Sequence, residues 1–279
     1  MTLVIALKWL QEEGEGVLIS SDSRATYGPI AYEVKKIHPI FYTHDKEEID
    51  LAVAGGAGDP SIVKYGYSLA ESVLKSRSEQ LGFRCLSQDE FSETVREIET
   101  KLISRFSALR REGIEPEFQM ILASVDSQGK ASMYIFDYKG MAEPVHDDPG
   151  FAIIGKGAVT GGVLLTRLWG YSPERSSGMD LGMLSAFVID VVSEIDPAVG
   201  SFLGESIFMR IKEGKVTMGP LQAEAWRKYK DSIGKRRELL QQLQMLCDQR
   251  DEDVVKKALD RLMATARRKP RAKKSLSSG

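Results

Sequence analysis

Thr2 is the first residue whose type and place could do chemistry, because it stands directly behind the initiator Met1. Methionine aminopeptidases act when the second residue is small, so Met1 is expected to be removed and Thr2 to become the N-terminus. A threonine with a free α-amine holds nucleophile and base on one residue: the hydroxyl attacks and the amine takes its proton. An α-amine titrates near pH 8, close enough to neutrality to act as a base. Taken alone, Thr2 reads as no more than a small residue that starts a strand; the segments that follow it change that reading. Metal chemistry has no comparable candidate. Cys85 and Cys247 are far apart without metal spacing, and His38, His44 and His146 are scattered, so no metal and no cofactor is expected.

The elements that would position Thr2 follow in order. Residues 2–9 and 16–23 form a hairpin rich in β-branched residues, joined by an acidic, glycine-containing turn. Residues 36–42 and 50–54 are short strands, and Gly55-Gly-Ala-Gly-Asp59 is a glycine turn. Asp59-Pro60 caps a helix that runs to about Gln80. Ser87-Gln-Asp-Glu90 is a capping box for a helix to about Arg111, with Phe91, Val95, Ile98, Leu102, Phe106 and Leu109 at helical spacing. A second hairpin spans Phe118–Val125 and Ser132–Asp137. A strand at Phe151–Gly155 leads to a helix ending near Leu168, a second helix runs from Asp180 to about Ile195, and strands lie near Ser206–Ile211 and Lys215–Met218. Strands, two helices, strands, two helices, strands make an α+β chain. The expected fold is a four-layer αββα sandwich with a C-terminal helical extension.

Four segments then stand in order: the N-terminal Thr2, Asp22-Ser-Arg24-Ala-Thr26-x-Gly28, Lys35-Lys36-Ile37, and Ala54-Gly55-Gly56. Together they resemble the proteasome β-subunits of the N-terminal-nucleophile hydrolases over roughly residues 2–219. The resemblance implies a threonine-type endopeptidase. Thr2 takes the nucleophile's place. Lys36 aligns with the active-site lysine, whose charge near the amine and the threonine oxygen lowers both proton affinities. A lysine buried there needs a carboxylate, and Asp22 aligns with that partner. Singly, Asp22 and Lys36 would read as surface charges. Gly55 aligns with the glycine whose amide faces the developing oxyanion, with a φ > 0 turn as its other reading. Thr26 aligns with a residue whose backbone pairs with bound peptide, and Arg24 reads as structural. Val53 would line the substrate's first side-chain pocket, favouring medium-sized apolar groups.

The chain departs from this pattern twice. Lys156 in Gly155-Lys156-Gly157 stands where the family has a serine that helps hold the amine, and is expected near the amine or on the substrate side. Asp196 aligns with a supporting acid, but the serine that should follow it is Val199. The Val199-Gly200 pair is similar to the divergent bacterial proteasome relatives called Anbu, so the amine-positioning shell is expected to differ while the nucleophile and Lys–Asp pair are kept.

With 279 residues, 42% hydrophobic, the chain can bury a full core. The domains expected are residues 1–220 as the hydrolase, 221–266 as a charged amphipathic helical extension, broken near Asp248–Asp253, and 267–279 as a basic tail. The tail's six basic residues without an acid read as a solvated segment, and a net charge of −2 gives no general pull toward nucleic acid. No run of about 18 apolar residues is present, so no membrane span is expected, and two cysteines suit a reduced cytoplasm. The implied substrate is a peptide or unfolded protein. The relatives pair through their outer helices, so a homo-oligomeric ring or stack is expected, with an ATPase or other protein partner able to meet the C-terminal arm. Two alternatives stay open: a proteasome-related threonine-dependent protein ligase, and an inactive structural or interaction subunit.

Overall fold

A computed structural model describes residues 2–27, 30–200, 205–221, 223–249, 253–257 and 260–261. Two five-stranded antiparallel sheets form the body. One has the order β10-β1-β2-β11-β12, from Phe151–Gly155, Leu3–Gln11, Gly14–Ser21, Glu205–Lys212 and Lys215–Pro220. The other has the order β5-β6-β7-β8-β9, from Ile37–His44, Glu47–Gly58, Phe118–Val125, Ala131–Phe136 and Ala142–Pro144. A separate hairpin pairs β3 (Arg24–Tyr27) with β4 (Ile30–Glu33). The helices are α1 (Pro60–Gln80), α2 (Gln88–Arg111), α3 (Ala158–Val163), α4 (Leu181–Ile195) and α5 (Ala223–Gln249).

The alternation of strand side chains sorts the core into three clusters. Along β1, Val4 and Ala6 join Val17 and Ile19 of β2 and meet Ile121, Ala123 and Val125 of β7 in the other sheet. Leu3, Ile5 and Leu7 point the opposite way, to Leu184, Val188 and Val192 of α4. This explains why β1 reads as an unbroken apolar run: both its faces are covered. Met120 and Leu122 of β7 pack instead on α1 and α2, against Val73, Leu74, Phe91, Ile98 and Phe106. Phe91 and Phe106 are at most 1% exposed, and each such side chain contributes about 2 kcal/mol by leaving water.

Several elements differ from expectation. The glycine run 55–58 is no turn: β6 continues through Gly58, and of its glycines only Gly58 takes a positive φ, +125°. Small residues let two layers close in on this strand, which propensity alone reads as a break. The helix expected from residue 157 to 168 is α3 followed by one π-helical turn over Leu164–Leu168. The β3–β4 hairpin and a 3-10 turn at Pro173–Gly178 were not foreseen. The chain divides into two compact units, Met1–Tyr229 and Lys230–Gly279. In the second unit the chain continues α5 to Gln249 and is helical again at 253–257. Residues 267–279 lie outside the described residues. No helix among the described residues is long and apolar enough to cross a membrane.

The capping box at α2 is formed as expected: the Glu90 amide donates to the Ser87 hydroxyl, and the Ser87 amide to the Glu90 carboxylate. Arg84 and the Ser87 amide together hold the Glu90 carboxyl down at about 2. A depressed carboxyl stabilises the fold fully above the ordinary glutamate value, ~4, and that contribution is lost as pH falls toward 2. Acid unfolding followed by circular dichroism is expected to lose this component in Glu90→Gln. Ser87→Ala should cost about 1 kcal/mol in urea unfolding at neutral pH.

Candidate active site

The site is assembled at the open end of β1, where Asp22 terminates the neighbouring strand. Asp22 is fully buried, and its carboxylate accepts four hydrogen bonds. Oδ1 takes the Leu3 amide at 2.7 Å and the Lys36 ammonium at 2.7 Å. Oδ2 takes the Arg24 amide at 3.1 Å and the Gly200 amide at 2.8 Å. The carboxylate's acceptor sites are thereby used by four different segments. Its own amide donates back to the Leu3 carbonyl at 3.1 Å, which locks Asp22 beside the residue after Thr2.

Lys36 is equally constrained. Its ammonium donates to Asp22 and, at 2.5 Å, to the Arg24 carbonyl, and only 6% of the residue is exposed. Burial pushes the ammonium below the ordinary lysine range; the Asp22 charge and hydrogen bond oppose that shift without cancelling it. The backbone is clamped as well. Glu205 accepts the Lys36 amide at 2.8 Å while also accepting the Ser21 hydroxyl at 3.0 Å. The Lys36 carbonyl takes the Tyr67 hydroxyl at 2.6 Å and the Gly56 amide at 3.2 Å. Burial and the Glu205 charge push the Tyr67 phenol far up, so it stays a neutral donor.

Thr2 precedes β1 and is 7% exposed. It shares a cavity of about 500 Å3 with Lys36, the start of β5 and the first turns of α1, including Ile37, Pro39, Val63 and Tyr67. Gly155 lies against the Thr2 backbone with φ +95°, and a Cβ there would overlap the Thr2 carbonyl oxygen. The Gly155 amide is held by the Gln119 side chain at 2.9 Å.

The structure thus brings Thr2, Asp22 and Lys36 together. It treats the other expected residues differently. Gly55 lies inside β6, opposite Ile37 and Ile121. Since the Gly56 amide faces Lys36, alternation along the strand turns the Gly55 amide toward β7, within the sheet. What Gly55 visibly supplies is space: a Cβ would come within 2.7 Å of Val4 Cγ1. Asp196 is the C-cap of α4, and its carboxylate accepts the Ala198 amide at 2.9 Å, shaping its own loop. Val199 is fully buried in the cluster with Leu3 and Val192, so packing replaces the hydroxyl expected there. Lys156 is exposed on the turn after β10 and makes no ion pair or hydrogen bond with the described residues. Thr26 sits in β3 opposite Ala31. Val53 is fully buried between the sheets and does not line the cavity, which corrects its expected place in a substrate pocket.

Glu205, Tyr67 and Gly200 were missed by sequence reasoning. Nothing local marks the first two. Gly200 carried a signal in the Val199-Gly200 pair: a Cβ there would lie 2.5 Å from Arg24 Cβ and 2.8 Å from its amide nitrogen. Arg24 also holds this loop, its guanidinium donating to the Pro197 carbonyl at 2.9 Å. Gly200→Ala must push the loop off Asp22, leaving the carboxylate one donor short. The expected loss is about 1–3 kcal/mol in urea unfolding; an unchanged midpoint would show that the loop does not support Asp22.

No protein-family model matches the chain, and no curated protein does either. Among solved structures it is similar to the Gly-1 mutant of Anbu from Hyphomicrobium sp. strain MC1. The two share 17% identity with a TM-score of 0.62, over 87% of this chain and 96% of that one. At that identity the likeness is one of fold, and the fold of this chain is Anbu-like.

Proposed function

We propose that the protein is an N-terminal-nucleophile hydrolase of threonine-peptidase type, acting on peptide bonds after Met1 is removed. The observation that carries this is the buried Lys36–Asp22 pair, with its lysine opening onto the same cavity as Thr2. An ion pair this deeply buried is a poor way to stabilise a fold compared with apolar packing, so its place beside a candidate nucleophile favours a chemical role.

The mechanism follows from the groups present. The freed Thr2 amine accepts the proton of its own hydroxyl as Oγ attacks the substrate carbonyl carbon. Lys36 uses two of its three N–H donors on Asp22 and the Arg24 carbonyl. The third is assigned to the Thr2 oxygen, where its charge favours the alkoxide and disfavours protonation of the amine. The tetrahedral intermediate collapses with loss of the peptide amine, which takes the proton from the Thr2 ammonium. An ester on Thr2 remains. Water, deprotonated by the same amine, then attacks the ester carbonyl, and the acid is released as the ammonium returns that proton to the departing Thr2 Oγ. Val199 and the exposed Lys156 supply no hydroxyl for the amine, so the amine is held less tightly than with two serines, and slow turnover is expected.

The three packed clusters support the αββα four-layer plan for the hydrolase domain, taken as residues 1–220, with the charged helical extension following it. Peptide or unfolded protein is the assigned substrate and a homo-oligomer the assigned state. The free thiol of Cys85 suits a reduced cytoplasm.

Intact-mass measurement is expected to show a chain starting at Thr2. Labelling by a threonine-directed epoxyketone or peptide boronate should occur on Thr2 and vanish in Thr2→Ala. Active material that retains Met1, or labelling that survives Thr2→Ala, would contradict the mechanism.

A further inference from the structure

The walls of the Thr2 cavity are uneven in charge. Its described lining contains Lys35, Lys36, Lys64 and His38 and no acidic residue. The acids that contact these groups are already committed, and Asp59, between Gly58 and Pro60 of the lining, accepts the Ser61 and Ile62 amides at the start of α1. Asp22 is saturated by its four donors, and Glu205 holds Ser21 and the Lys36 amide. Glu71 accepts from Lys75 at 2.6 Å and contacts the His38 ring at 3.0 Å, and the two partners together hold its carboxyl below the usual range. Lys35 and Lys64 are different. Both are exposed, and neither ammonium makes an ion pair or hydrogen bond among the residues whose side chains are described. They come from different elements, the segment before β5 and the first turns of α1, so two parts of the chain each supply the cavity wall with a lysine.

Between them the surface is apolar: Val34, Pro39, Val63 and the Tyr67 ring also line the space. A cavity of this make-up suits a side chain with a short hydrocarbon stem and a negative end. A lysine or arginine would add one more like charge, and a purely aliphatic chain would gain nothing from the two ammonium groups.

We propose that the cavity beside Thr2 selects an acidic side chain of the peptide substrate, with Lys35 and Lys64 receiving its carboxylate. This assignment rests on the Thr2 reading for its catalytic meaning, while the charge selection is a property of the cavity itself. Because both lysines are solvated, their pull is moderate and weakens as salt rises.

The test uses the full-length Thr2→Ala protein and N-terminally labelled tetrapeptide amides, Ala-Ala-Ala-X with X as Glu, Gln or Lys, followed by fluorescence anisotropy. The Glu peptide is expected to bind roughly tenfold more tightly than the Gln peptide, with Lys weakest and the gap narrowing at high salt. Lys35→Glu/Lys64→Glu should invert the order, and Lys35→Gln/Lys64→Gln should flatten it, with thermal unfolding checking that both variants fold. Equal binding of Glu and Gln peptides, no binding of any peptide, or an order that survives the charge reversal would overturn the proposal. Boronate labelling of the unsubstituted protein keeps the two readings apart. Acid selection without labelling would sink the nucleophile and leave the cavity assignment standing, and labelling without acid selection would do the reverse.

Discussion

A carboxylate buried with no exposure has to be satisfied completely, and Asp22 is where four segments of the chain meet to do so. The first strand gives the Leu3 amide, the β3 entry gives the Arg24 amide, the β5 approach gives the Lys36 ammonium, and the loop after α4 gives the Gly200 amide. Removing an acceptor of this kind would strand several buried donors, each left at a penalty of about 1–3 kcal/mol. The architecture of the site is largely the set of arrangements that avoid this penalty.

That constraint transmits order to Thr2 without touching its side chain. Leu3 is tied to Asp22 through both its amide and its carbonyl. Across β1, Gly155 presses on the Thr2 carbonyl, with its own amide fixed by Gln119. Lys36 is gripped at Nζ, amide and carbonyl by residues of β2, β6, α1 and β11 or their flanks. Positioning therefore comes from side chains held against backbone groups at strand ends, with the Asp22–Leu3 and Gly56–Lys36 backbone bonds completing the set. The cavity beside Thr2 shares Lys36 and Tyr67 with this set, while its other cations, Lys35 and Lys64, lie outside it. It can vary in charge while the anchored pair stays fixed.

Much of the secondary structure was legible because it rests on local rules. The capping box at Ser87, the Asp59-Pro60 start of α1 and the apolar period of α2 each state their own geometry. The meeting of Asp22 and Lys36 was legible only through the order of motifs, since a sequence separation of 14 carries no distance by itself. Glu205 and Tyr67 reach Lys36 from far along the chain, and their types would suit any surface. Gly55 misled for a physical reason: glycine marks turns, but inside β6 it makes room for Val4 from the facing sheet. Val53 misled through the same strand, whose inward face is closed by the second sheet. The serine expected at residue 199 gave way to a valine that completes the packing around Leu3, a trade no single-residue rule announces.

A double-mutant cycle reads the central coupling most directly. Asp22→Asn, Lys36→Met and the combined variant would be unfolded in urea at neutral pH. Each single change leaves the other charge buried and unpaired and is expected to cost about 3–5 kcal/mol, with the double variant losing far less than the sum. Losses that add to within about 0.5 kcal/mol would mean the two groups act independently, and the account of an anchored pair beneath Thr2 would be wrong.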